Sequence, residues 1–298
     1  MESINRYEYE VAGIKILCEI PFKIKIKEES ESFIRVLSED DMPEADLTMQ
    51  FCMVNAFPNM EEAYHQEGCQ YYVETADEWR IYHKSSPKEP PYACTIWNRN
   101  NVKKVICQYL NGKENYLEFS RNIINHLGLE TLLRVKNGLL LHASFIRWDG
   151  KGILFTAPSG TGKSTQANLW EKHESAEILN GDRAALRDID GSWYAYGLPY
   201  AGSSGIYRNE KAPVHAIIVL RQAKENKIKK LTLTEAFPYI YSEFTVHRWD
   251  KEFVEEIWNA VLMLLGNVPV YLLECLPDQG AVELAKKSIM KSTRSCQL

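Results

Sequence analysis

This sequence has no close cysteine pairs, no excess of basic residues and no long apolar run. The seven cysteines, Cys18, Cys52, Cys69, Cys94, Cys107, Cys275 and Cys296, are odd in number and scattered. None stands beside another at the short spacing that grips zinc or an iron–sulfur cluster, so such centres are excluded and free thiols in a reducing cytosol are expected. A formal net charge of −5 excludes a broad surface for nucleic acid, because affinity for phosphate backbones needs clustered Lys and Arg. A local basic pocket for one nucleotide is compatible with that balance. No window approaches about eighteen uninterrupted apolar residues, and the opening MESINRYEYEVAGIKI has no basic segment leading into an apolar one. Neither secretion nor a membrane span is expected, and the expected location is cytoplasmic. Repeats and low-complexity tracts are missing as well.

What is present, 298 residues with 45% hydrophobic and 25% charged content, is material for one large domain or two modest ones. Up to about residue 118 the chain reads as short strands, such as Gly13 to Cys18 and Asp46 to Val54, with a helix predicted near Met60 to Tyr72. His83 to Tyr92, HKSSPKEPPY, is a turn between strands. From Ser120 to Val135 the apolar residues Ile123, Ile124, Leu127, Leu132 and Leu133 recur at helical spacing, which predicts one helix bridging the two halves. The expected division is an N-terminal α+β region over 1–136 and a second domain over 137–298.

The second region opens on two apolar runs, Leu139 to Ile146 and Ile153 to Thr156, around Asp149-Gly150, which predicts a β-hairpin. Further strands are expected at 176–179, 184–187, 193–196, 214–220 and 268–275, with Asp188 to Gly191 turning two of them into another hairpin. Helices are expected from Asp250, as N-cap, to Leu265 and from Gln279 to Ile289.

The segment that carries chemistry is APSGTGKST, Ala157 to Thr165, between a strand and a helix beginning near Lys163. Such a loop turns backbone amides toward phosphate oxygens and adds the positive end of the helix. Ser159, Gly160, Thr161, Gly162, Lys163, Ser164 and Thr165 are the expected nucleotide contacts. Lys163 would reach the β- and γ-phosphates, and Ser164 would bind Mg²⁺. The pattern calls for Gly where Ala157 stands.

Three other elements converge on this loop. A hairpin centred on Asp149-Gly150 sets His142 opposite Ala157, where it would handle a proton or touch a phosphate, or bond the backbone inside its strand. Asp182 follows Lys163 by nineteen positions, room for one helix and a returning strand, so its carboxylate would hold Mg²⁺ or accept a proton, or else only cap a turn. Gly202, Ser203, Ser204 and Gly205, followed by Arg208 and Lys211, form either an acceptor-binding loop or a plain surface connection.

In that order, these elements resemble the C-terminal catalytic domain of HPr kinase/phosphorylase and, more distantly, ATP-dependent phosphoenolpyruvate carboxykinase, over Leu139 to Leu276. The resemblance implies a mixed-sheet α/β domain in which His142 is a catalytic-site residue and Lys163 and Ser164 bind phosphate and metal. In that family two adjacent aspartates precede an Arg; here Asn180-Gly181-Asp182-Arg183 keeps the metal-associated one as Asp182 and has Gly181 in place of the proton acceptor. The family's Gly-rich signature is loosely matched by Gly202 to Ile206, and Gly197-Leu198-Pro199 stands where it has an acidic residue. Relatives of this domain include kinases that phosphorylate serine on precursor peptides.

The expected function is therefore ATP- and Mg²⁺-dependent phosphoryl transfer to a hydroxyl, most simply a serine of a peptide or protein. Lys163, His142 and Asp182 would be catalytic, Ser164 and Asp182 metal-binding, and Gly202, Ser203, Ser204 and Arg208 the substrate loop. A small-molecule kinase, a carboxykinase-like reaction and a sensor that binds ATP without turnover are the alternatives. Neither nucleic acid nor membrane is an expected partner, and a homo-oligomer is allowed.

Overall fold

Two-residue turns organise much of the chain, which the computed structural model describes for residues 4–57, 65–200 and 202–294. At Ala12-Gly13, Asp149-Gly150 and Asp190-Gly191 both turn residues have positive φ, the mirror-image turn whose twist suits paired strands. The described residues form a mixed α/β structure with two mixed sheets and seven helices, divided into two units, Met1–Val135 and Lys136–Leu298.

In the first unit, strands β1 (Asn5–Val11), β2 (Ile14–Ile20), β3 (Ile34–Leu37), β4 (Leu47–Val54), β5 (His65–Glu67), β6 (Gln70–Glu74), β7 (Glu78–Lys84), β8 (Pro91–Asn98) and β9 (Lys104–Leu110) form one sheet, ordered β3-β1-β2-β4-β9-β8-β7-β6-β5. With it go helices α1 (Glu28–Glu31), α2 (Ser120–Leu127) and α3 (Leu129–Arg134).

Two expectations are corrected here. Residues 65–72 belong to the β5–β6 hairpin and not to a helix, because His65 faces Tyr72 across the Gly68 turn; residues 60–64 of that prediction lie outside the described ones. The single helix over 120–135 is two short ones, both within the first unit. Gly128 has φ 74, and a Cβ there would sit 2.8 Å from the Ile81 side chain, so the helical path breaks where only glycine fits.

The second unit is built on two long strands, β10 (Gly138–Trp148) and β15 (Lys211–Gln222). Each changes partners along its length. The first half of β10 pairs with β13 (Arg183–Ile189), its second half with β11 (Lys151–Thr156) on one edge and β12 (Glu177–Asn180) on the other. The first part of β15 pairs with β14 (Ser192–Tyr196); β11 and β17 (Val270–Cys275) then pair with it in parallel, and β16 (Lys227–Lys230) closes the far edge.

Helices α5 (Leu233–Tyr241) and α6 (Lys251–Asn267) pack one face of this sheet, and α4 (Lys163–Glu174) and α7 (Gln279–Arg294) the other. The alternation of strand side chains decides which residues go where. Leu154, Ile217 and Val219 join the first core; Ile153, Phe155, Ile218 and Leu220 join the second. The expected N-cap of α6 is present, with Asp250 Oδ1 accepting from the Phe253 amide at 2.9 Å. Among the described residues no helix is long and apolar enough to cross a membrane, and Cys18, Cys52, Cys69, Cys94, Cys107 and Cys275 are free; Cys296 lies outside them.

The first unit buries a pair of histidines, His83 and His126, with ring centroids 4.3 Å apart and ring planes inclined at 43°. His126 Nδ1 donates to the Asn122 carbonyl at 2.6 Å and its Nε2 has no partner, while His83 Nε2 faces Thr95 Oγ1 at 3.0 Å. Burial lowers His83 well below the ordinary imidazole value, with His126 adding to it, and takes His126 to about 4. The unfolded rings therefore take up protons below about pH 6.5 while the folded ones do not. Stability is expected to fall as pH drops through that value, by up to ~1.4 kcal/mol per pH unit per histidine, with the His126 share levelling off near pH 4. Protection of the β7 and β8 amides against hydrogen exchange, taken relative to the intrinsic rate at each pH, should fall as pH drops from about 7 to about 5.5, and His126→Phe should flatten that dependence. An identical slope in the variant would exonerate the pair.

Candidate functional site

Between Thr156, the last residue of β11, and Lys163, the first of α4, the chain must leave a buried strand and start a helix within a few residues. Gly160 (φ 79) and Gly162 (φ 116) make that possible, since both backbones lie where a side chain is disfavoured. Gly162 is the N-cap of α4 and no side chain caps the helix start, so the free amides of the first turn have no side-chain acceptor. This is the local form of an anion site.

The Lys163 ammonium folds back to donate to the carbonyls of Ala157 at 2.8 Å and Pro158 at 3.4 Å. Its burial lowers its pKa, and the nearby carboxylates of Glu243 and Asp182 oppose that shift. On the loop's other side Gln222 Nε2 lies 3.5 Å and 3.4 Å from the carbonyls of Gly160 and Thr161, tying the loop to the end of β15. Ser159 is exposed, as are Ser164 and Thr165 on the first turn of α4.

His142 sits where β10 exchanges partners. It is opposed by Arg183 of β13, and from the next residue, Ala143, the other edge is paired to Thr156 of β11. Before that point the same edge is held by the segment after α5: His142 N donates to Glu243 O at 3.0 Å and Thr245 N to Leu140 O at 2.9 Å. On the opposite edge the turn between β12 and β13 fills the gap, with Ala143 N donating to Asp182 O at 3.0 Å. The exchange therefore brings Glu243 to one side of His142 and Asp182 to the other. Glu243 Oε2 lies 3.2 Å from Nδ1, and Asp182 Oδ1 lies 3.7 Å from Nε2.

Asp182 owes its position to Asn180, which is fully buried. The Asn180 amide nitrogen donates to the carbonyls of Leu198 and Tyr200, and its oxygen accepts from the amides of Asp182 and Arg183. A short 3₁₀ turn, Gly202–Ser204, lies over this corner. A Cβ on Gly202 would sit 2.8 Å from the Asp182 carboxyl carbon, and one on Gly181 only 2.2 Å from Ser204 Oγ. Ser204 thus fills the space that a side chain at position 181 would need.

The expected residues are therefore gathered unequally. His142, Lys163 and Asp182 share one neighbourhood, and Gly202 and Ser204 pack against its acidic corner. Arg208 is exposed, and Lys211 lies over the rings of Tyr194 and Tyr196, at 5.2 Å and 5.7 Å from their centroids. Sequence reasoning missed Glu243, Asn180 and Gln222. No local signal marks Glu243, which is 101 positions from His142 and arrives by strand-like pairing. A cleft of about 1100 Å³ runs from the loop's outer face along Val219 to Gln222, reaching Tyr239 and Glu243.

The model of a protein family described as "ScmC: SynChlorMet cassette protein ScmC" matches residues 105–278. No curated protein matches the chain. Among solved structures, the Hpr(Ser) kinase/phosphatase from Coxiella burnetii is similar to 52% of this chain over 98% of its own, at 14% identity and a TM-score of 0.31, a likeness that carries no argument about activity.

Packing of Ser204 on Gly181 makes a direct prediction. Gly181→Ala should lower stability by ~1–3 kcal/mol through overpacking, and Gly181→Ala with Ser204→Gly should recover most of it. Thermal melts of the two variants decide; equal losses would mean that Ser204 is not the obstacle.

Proposed function

This chain belongs to the ScmC family, and we propose that it is an ATP- and Mg²⁺-dependent kinase that transfers the γ-phosphoryl group to a hydroxyl, a serine of a peptide or protein. What carries this reading is the convergence of the buried Lys163 ammonium, an uncapped helix start and the His142–Asp182 pair around one glycine loop. Phosphoryl transfer asks mainly for positioning and electrostatic stabilisation. The loop amides and Lys163 would hold the phosphates, and Lys163 would swing from loop carbonyls to phosphate oxygens of higher charge. His142 would receive the acceptor's proton.

The ion fits this arrangement as a joint guest. Among the described residues no group of three or more His, Cys, Asp or Glu is suited to hold a metal, so Mg²⁺ would share Ser164, Asp182 and the phosphates themselves. It would supply charge neutralisation at the β- and γ-oxygens.

A second reading has its own support. With Gly181 in place of a carboxylate and Ser204 packed upon it, the chain would bind ATP without turnover, as a sensor or peptide-binding module. A small metabolite in place of a peptide is a variant of the first reading.

Incubation with γ-labelled ATP, Mg²⁺ and pools of serine-containing peptides separates these. Label on a peptide supports the kinase, whereas tight MgATP binding with neither labelling nor hydrolysis supports the sensor. Lys163→Ala should weaken MgATP binding by at least about tenfold, since it removes the charge that meets the phosphates. Unaltered binding and turnover in that variant would remove the basis of both. His142→Ala should slow transfer by about 10²-fold and leave MgATP affinity nearly unchanged.

A further inference from the structure

We propose that Glu243 is a positioning residue that takes over, through His142, part of the duty of the carboxylate missing at position 181; this rests on the kinase reading above. Three observations lead there. Ser204 Oγ occupies the space beside Gly181, so no acidic side chain can stand there while the Gly202–Ser204 turn is in place. Glu243 approaches His142 from the edge of β10 opposite Asp182, with Oε2 3.2 Å from Nδ1 and only 10% of its side chain exposed. Its backbone is held on both sides of its Cα: Glu243 N donates to Ile240 O at 3.1 Å, and Glu243 O accepts from His142 N at 3.0 Å. A carboxylate held by strand-like pairing loses little freedom when it bonds a ring, which is what positioning requires.

A neutral imidazole carries one N–H. Beside a carboxylate at 3.2 Å, that hydrogen is best placed on Nδ1, which leaves the Nε2 lone pair free on the side of Asp182, 3.7 Å away. His142 is one-third exposed, so an incoming hydroxyl can reach Nε2. In the transfer step the acceptor O–H bond breaks and its proton goes to Nε2. The acceptor oxygen forms a bond to the γ-phosphorus as the bond from that phosphorus to the β,γ-bridging oxygen breaks, and ADP leaves with the electron pair. The resulting imidazolium stands between two carboxylates, and Glu243 is the one not expected to share a metal. The arrangement parallels a base oriented by a third group, reached here from an unrelated part of the chain.

The test uses the full chain and its Glu243→Gln and Glu243→Ala variants. Long-range ¹H–¹⁵N spectra of the imidazoles, with His142 assigned by its loss in His142→Gln, report which nitrogen carries the hydrogen. The wild type and Glu243→Gln, whose amide oxygen can still accept, are expected to hold the Nδ1–H form, and Glu243→Ala to lose that preference. With MgATP and a serine-peptide pool, kcat should fall by about 10²-fold in Glu243→Ala and less in Glu243→Gln, with the KM for ATP nearly unchanged. Wild-type His142 in the Nε2–H form, or Glu243→Ala with wild-type spectra and kcat, would overturn the proposal. Should Glu243→Ala fail to fold, wild-type tautomer together with a drop in kcat in Glu243→Gln supports the assignment, and a lost tautomer or undiminished kcat there refutes it. Failure of the wild type to bind MgATP in calorimetry would instead sink the kinase reading, and the spectra would still judge the Glu243–His142 contact.

Discussion

The site depends on a change of hydrogen-bond partners along one strand. β10 is long enough to belong to two sheet segments, and near His142 both of its edges pass from one neighbour to another. Every buried amide and carbonyl still needs a partner, so the gaps left by the exchange are filled by backbone from elsewhere: the segment after α5 on one edge and the turn at Asp182 on the other. The obligation to satisfy the backbone thereby delivers two carboxylates to the same histidine.

That delivery explains the electrostatics around the loop. Lys163 is buried in a place that disfavours its charge, and the carboxylates of Glu243 and Asp182 offset part of the cost. The ammonium donates to the carbonyls of Ala157 and Pro158. Such contacts are modest in strength, and an anion with more charge can displace them. Asn180 works in the same manner at the other corner, holding the ends of three segments through four hydrogen bonds from one buried amide.

Much of the second unit was readable because its signals are local. Asp149-Gly150 specifies both a turn and a register, so Trp148 faces Lys151 and Ala143 faces Thr156 as the two apolar runs imply. Asp190-Gly191 does the same for Ile189 and Ser192. The strand-to-helix step through Gly160, Gly162 and Lys163 is written in consecutive residues as well. The misreadings share a different cause. Residues 65–72 pair as a hairpin where a helix near Met60 to Tyr72 is expected, and Gly128 stops a periodic stretch because Ile81, distant in sequence, packs where its side chain would be.

By itself the sequence determined the paired turns, the loop and its lysine, and the alternation that sends Leu154 to one core and Phe155 to the other, since each is set by neighbours a few positions apart. Only the tertiary structure decided that Glu243 meets His142, that Ser204 fills the space beside Gly181, and that Gln222 braces the loop. Those contacts join residues tens of positions apart through backbone pairing and close packing, and no periodicity or motif in a linear chain encodes which distant segment will occupy a given gap.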